Sequence, residues 1–184
     1  MPLSKGSIRL LGYYEGFPEN VHGVAQFTHR ISIRKLQQII LFILHQLNQD
    51  TWTLSDITPF SLSKCEVSFE FGVAEGTVFN YLDEEELDKF EKSIAEKALP
   101  ILDFFCVVRY HTINKEGKRT PLKFDYHLLR LIFHRNRVEW QISQERGTRR
   151  VSLEDLITFI ARRVNELLSQ MQLKPLTPKH LRTL

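Results

Sequence analysis

The sequence predicts an α+β fold: an antiparallel sheet of about six strands, a hairpin plus a three-stranded meander, with three packed helices. Three observations carry this. Cys65, Val67, Phe69, Phe71 and Val73 alternate with Glu66, Ser68 and Glu70, the mark of a strand with one wet face. After Ile101 three strand patterns follow one another with only short turns between them, which requires antiparallel pairing. Two stretches, about Ser32 to Asn48 and Ser152 to Met171, instead carry their apolar residues at helical spacing.

Taken in order, Ser7–Tyr14 reads as a strand in which Ile8, Leu10 and Gly12 alternate with Arg9 and Leu11. It runs into the turn formers Gly16-Phe17-Pro18-Glu19-Asn20, and His22–Arg30 is a loop or short strand. In the first helix Ile33, Leu36, Ile39, Ile40, Ile43, Leu44 and Leu47 form a stripe. Leu41 and Phe42 widen it, so this helix should be buried on more than one side. Residues 49–63, rich in Asp, Ser, Thr and Pro, form a connection. Ala74-Glu75-Gly76 turns the alternating strand into a partner, Thr77–Leu82. A second helix starts at Asp83, with Glu86 in the reciprocal capping-box position, Leu82 and Leu87 as a hydrophobic staple, and Pro100 as its stop.

The meander consists of Ile101–Ile113, Arg119–Phe133 and Val138–Glu145. Phe104 to Val108 is an unbroken apolar run, so this strand should be central and covered on both faces. In the next strand Leu122, Phe124, Tyr126 and Leu128 share one parity while Leu129, Leu131 and Phe133 take the other, which places a bulge near Leu128. The last helix is capped by Ser152, with Asp155 in the capping box and Val151 and Leu156 as a staple. Residues 1–172 thus make one domain, and 173–184 a basic tail held extended by Pro175 and Pro178. The core should include Phe69, Phe71, Phe104, Cys106, Leu131, Ile157, Ile160 and Val164.

Composition narrows the function classes. Thirteen Phe in 184 residues bring enough apolar area for a sizeable core. The longest apolar run, Ile39 to Leu44, is far short of a membrane span, and the N-terminus lacks the features of a signal peptide. Cys65 and Cys106 are lone thiols, which points to a reducing compartment, with cytoplasm as the default, and away from a jointly bound metal. No phosphate-cradling glycine loop, nucleophile elbow or His-Glu-x-x-His pair is present, and no cofactor is implied. The seven His are dispersed, and the acidic run Asp83-Glu84-Glu85-Glu86 fits the positive end of the helix it opens.

Charge is unevenly divided. Residues 1–108 hold 9 Lys and Arg against 15 Asp and Glu, a net of −6, whereas residues 109–184 hold 16 against 7, a net of +9. Such asymmetry points to an anionic partner or to self-association. In a meander, Lys118, Arg119, Arg146, Arg149 and Arg150 emerge at one end of the sheet, while Arg135 and Arg137 crown the other. The first five are the candidate anion-binding residues, with Tyr110, Tyr126 and Trp140 as candidate stacking platforms. Solvated surface arginines are the plainer account of the same residues. The leading functional reading is a non-catalytic binding or assembly module that meets nucleic acid or an acidic protein surface. A homo-oligomer, and an enzyme or small-ligand binder with a pocket between sheet and helices, are the alternatives. The aromatic segment Gly12–Phe17 is read as a plug on the core more readily than as a pocket wall.

Overall fold

A computed structural model describes residues 10–59, 61 and 64–183. The chain runs β1 (Gly23–Thr28), α1 (Ile33–Leu47), β2 (Thr51–Thr53), α2 (Leu54–Ile57), β3 (Glu66–Glu75), β4 (Val78–Tyr81) and α3 (Glu84–Glu96). It continues through β5 (Ile101–Ile113), β6 (Arg119–Pro121), β7 (Asp125–Phe133), β8 (Arg137–Arg146), α4 (Leu153–Gln170) and β9 (Thr177–Thr183). Among the described residues this is an α+β fold with nine antiparallel strands in one open sheet and four helices. The expected six strands and three helices undercount both. β1 fills His22–Arg30, β2 and α2 lie within 49–63, and the long Arg119–Phe133 strand is divided into β6 and β7.

One expected strand is not formed among its described residues. Ser7–Arg9 lie outside the described residues, and Leu10–Tyr14 makes only isolated bridges, Leu11 to Glu75 and Tyr14 to Gly76. Gly12 is the reason. Its φ of +82° turns the chain out of an extended path, and a Cβ there would lie 3.0 Å from the Ile101 carbonyl oxygen.

The strand order is β2-β3-β5-β7-β8-β1-β9, with β4 also paired to β3 and β6 to β5. The register between β5 and β6 puts His111 opposite Pro121, and that between β5 and β7 puts Cys106 opposite His127. The irregularity expected near Leu128 falls between Tyr126 and His127, where the pairing of β7 with β8 shifts register. Within the 173–184 segment, Thr177–Thr183 forms β9, which pairs with β1, with Phe27 opposite Pro178.

All three long helices start where a local cap dictates. Ser32, Asp83 and Ser152 each accept the N–H of the residue three positions on. The helices cover one sheet face, and all eight expected core residues are buried beneath them. α3 ends at Glu96, ahead of Pro100. The wholly buried side-chain amide of Gln37 binds the Leu99 peptide at both its N–H and its C=O, so the chain leaves the helix extended. Among the described residues no helix is long and apolar enough to cross a membrane.

Asn48 acts in the same way at the other end of α1. Its amide donates to the carbonyls of Phe71 and Leu82 and accepts from Phe71 N–H, joining helix, sheet and hairpin exit. Asn48→Ala strands these groups and is expected to cost about 2 kcal/mol, read as a lower denaturant midpoint with unchanged slope. A midpoint like that of the wild type would show the three bonds to be dispensable.

On the opposite sheet face the segment Gly12–Phe17 is strapped down. Arg130 pairs with Asp103 directly across the strands, Nε to Oδ1 and Nη2 to Oδ2 at 2.7 Å each, and Arg130 also donates to the Tyr14 carbonyl. Tyr14 N–H donates to Asp103, and the guanidinium stacks over Tyr13 and Phe17 at 4.9 and 4.3 Å. Tyr14 then continues an aromatic row through Phe79, Phe105 and Tyr126. The aromatic segment is a plug, and it gives the central strand its second cover.

Candidate functional site

The five candidate residues emerge at one end of the sheet but are staggered. Arg119 stands opposite Ile113, while Arg146 stands opposite Tyr126 and Tyr126 opposite Val107. Six residues of β5 separate them, about 20 Å of strand. Arg119 is also engaged elsewhere, 2.8 Å from Glu66 on β3. Lys118, on the exposed β5–β6 turn, belongs with it. The structure therefore groups Arg146, Arg149 and Arg150 and sets Lys118 and Arg119 apart.

What fixes the Arg146–Arg150 loop is a buried carboxyl group. Asp125 accepts the Tyr110 hydroxyl at 2.6 Å, the Arg149 N–H at 3.0 Å and the Arg150 N–H at 3.2 Å. The Tyr110 oxygen in turn accepts the Val151 N–H. Arg149 has a φ of 54°, so its N–H and that of Arg150 form a concave pair of donors of the kind that holds anions. Here the protein's own Asp125 fills it. Gly147, at φ +113°, is required too, because a Cβ there would collide with the Asp125 carboxyl. Burial, reinforced by the bond to Asp125, keeps the Tyr110 phenol protonated far above its ordinary range.

With their backbone committed inward, the arginines have only side chains to offer. Arg149 Nε donates to Gln144, and Arg150 lies over the Tyr110 ring at 5.8 Å. Among the described residues none of the guanidinium groups of Arg146, Arg149 and Arg150 has a carboxylate partner. The start of α4 next door is closed to an outside anion: Ser152 takes the Asp155 N–H, and Glu154 and Asp155 occupy the first turn.

The stacking candidates are redistributed. Tyr110 and Trp140 are wholly buried, and Tyr126 belongs to the aromatic row under the strap. The exposed aromatic at this end is Phe124, 41% accessible, with Arg109 at 5.7 Å from its ring. It immediately precedes Asp125 in the chain. Its parity with Leu122 and Tyr126 read it as part of one continuous strand, whereas it lies in the break between β6 and β7.

Other chemistry at this end is enclosed. His127 is buried on the helix-covered face, with neither ring nitrogen bonded among the described residues. Cys65 and Cys106 are buried, and burial pushes both thiols up. Among the described residues no three His, Cys, Asp or Glu side chains converge as metal ligands. Between α4 and the sheet edge there is a cleft of about 210 Å³, lined by Phe27, Ala161, Pro178 and Leu181 among others. The Asn165 amide on its wall is already bonded to Leu176. Comparison with protein-family models, curated proteins and solved structures found no match.

Proposed function

We propose that this chain is a non-catalytic binding module that contacts the phosphates of a nucleic-acid strand through Arg146, Arg149 and Arg150. The supporting observation is the Asp125 anchor: it holds the loop rigid while leaving three guanidinium groups without a carboxylate. Forked pairing of such side chains with phosphate needs no help from the backbone. Phe124 adds an exposed ring for one base. With Tyr110 and Trp140 in the core, recognition is of the backbone with little reading of sequence. Lys118 and Arg119 contribute long-range attraction from the neighbouring hairpin.

Salt dependence tests this. The double variant Arg149→Ala/Arg150→Ala keeps both N–H bonds to Asp125, so the loop stays in place. Its affinity for a single-stranded oligonucleotide should fall, and its log–log salt slope should flatten by about 1 to 2. Phe124→Ala should weaken binding about tenfold without changing the slope. Unchanged affinity and slope in the double variant, or no binding by the wild type at low salt, would overturn the proposal in favour of an acidic protein partner. Self-association through the sheet edge has weaker support, because β9 carries Pro178 and Lys179, residues that block edge-to-edge pairing.

A further inference from the structure

The far end of the sheet holds a second cationic feature. There the β7–β8 turn meets the segment that leads into α1, and a cavity of about 550 Å³ opens between them, a volume typical of small-molecule sites. Its walls include Arg30, Arg34 and Arg135, together with His29, Ser32 and Asn136, and no acidic side chain lines it. The three arginines are exposed and unpaired with any carboxylate among the described residues. Arg34 donates to the Glu96 carbonyl oxygen, at 3.5 Å.

The cavity is held open by a cross-brace. His29, 3% exposed, lies beneath it, with Nδ1 2.9 Å from the Ile31 carbonyl and Nε2 3.0 Å from the His134 carbonyl. The His29 N–H also donates to the Asn136 carbonyl. These contacts fix the α1 lead-in against the β7–β8 turn, so Arg30 and Arg135 are set on facing walls before any ligand arrives. The 15-residue helix α1 adds the N–H groups of Ile33 and Arg34, which no helix bonds internally, and its first turn holds no acid.

We infer that this cavity binds a phosphate monoester or diphosphate group, with Arg30 and Arg135 as its clamp and Arg34 at its rim. Three arginines around one concave site, with no acidic side chain in its lining, favour the higher charge of a terminal phosphate over the repeating diesters of a strand backbone. Its bearer is either a free small molecule or the phosphorylated end of a nucleic-acid strand. The inference stands apart from the Arg146–Arg150 loop, which lies at the opposite end of the sheet.

Titration calorimetry at low ionic strength tests it with inorganic pyrophosphate as probe. A second arm compares short oligonucleotides with and without a terminal phosphate. Wild-type protein should bind pyrophosphate saturably. Arg30→Ala/Arg135→Ala should bind it about tenfold more weakly or worse, as expected on losing two charge-assisted contacts, while Arg149→Ala/Arg150→Ala should bind it within about twofold of wild type. Amide resonances of Ile33 and Arg34 should shift on adding pyrophosphate to the wild type. Tighter binding of the end-phosphorylated strand, displaced by pyrophosphate, identifies a strand end as the bearer, and equal binding of both strands identifies a free small molecule. Both Arg30 and Arg135 are exposed, and an unchanged melting temperature confirms that their variant is folded. No saturable pyrophosphate binding by the wild type, or equal binding by the Arg30/Arg135 variant, would refute the inference whatever the oligonucleotide loop does.

Discussion

Asp125→Ala is expected to destabilise the fold by on the order of 4 kcal/mol, the largest single-residue effect argued for this protein. Three donors lose their acceptor at once: the Tyr110 hydroxyl and the N–H groups of Arg149 and Arg150. Tyr110 and Asp125 are both fully buried, so water cannot replace the bond between them without opening the core. The loop then loses its reason for the left-handed turn at Arg149, and the capped start of α4 loses its lead-in. Asp125→Asn keeps the size and one carbonyl oxygen but turns an NH2 toward a donor, so its cost should be intermediate. Gly147→Ala attacks the same hub from the other side and should also destabilise. Denaturant unfolding measures all three, and a loss below about 1 kcal/mol for Asp125→Ala would mean that the hub does not hold the loop.

How much of this was legible in the sequence depends on how local the cause is. Asp83 and Ser152 could be read as caps because a cap needs only its own next three residues. The alternation from Val67 to Val73 and the run Phe104–Val108 gave the central strands and the core, since burial follows the two-residue period directly. What pairs with what across long separations was harder to read. β9 shows no alternation because almost every residue in it is exposed, and only β1, some 150 residues earlier in the chain, makes it a strand. In the described part of Ser7–Tyr14 the strand pattern gives way at Gly12, where contact with Ile101 and Leu102 overrides it.

The same limit governs the sites. Counting charge by halves assigned the cations to residues 109–184, yet Arg30 and Arg34 belong to the acidic half and meet Arg135 only through folding. The clue in the sequence was small: two arginines flanking Ser32, with no acid in the turn that follows. The meander correctly placed Arg135 and the Arg146–Arg150 loop at opposite ends, but its even spacing concealed the stagger that separates Arg119 from Arg146. Asp125 was invisible as a hub because a lone carboxylate in a strand pattern gives no sign of where its hydrogen bonds go.

His127 makes the fold sensitive to mild acid. Burial, helped by the nearby Arg149 and His22 and opposed by Asp125, pulls its imidazole down from the ordinary 6.5 to about 4. The unfolded chain therefore binds a proton there more readily than the folded one. Between about pH 6.5 and pH 4 the unfolded state holds the extra proton, so stability rises with pH across that window. The contribution is fully present above pH 6.5 and is lost as pH falls toward 4, a total swing of about 3 kcal/mol. Because neither ring nitrogen is bonded among the described residues, an apolar residue of similar size strands no partner. His127→Leu should therefore unfold at the wild-type denaturant midpoint or a higher one at pH 7.5. It should also lose most of the fall in stability that the wild type shows between pH 6.5 and 4. Unfolding curves collected at half-unit intervals of pH make the comparison, and a variant whose acid limb runs parallel to that of the wild type would assign the sensitivity to another group.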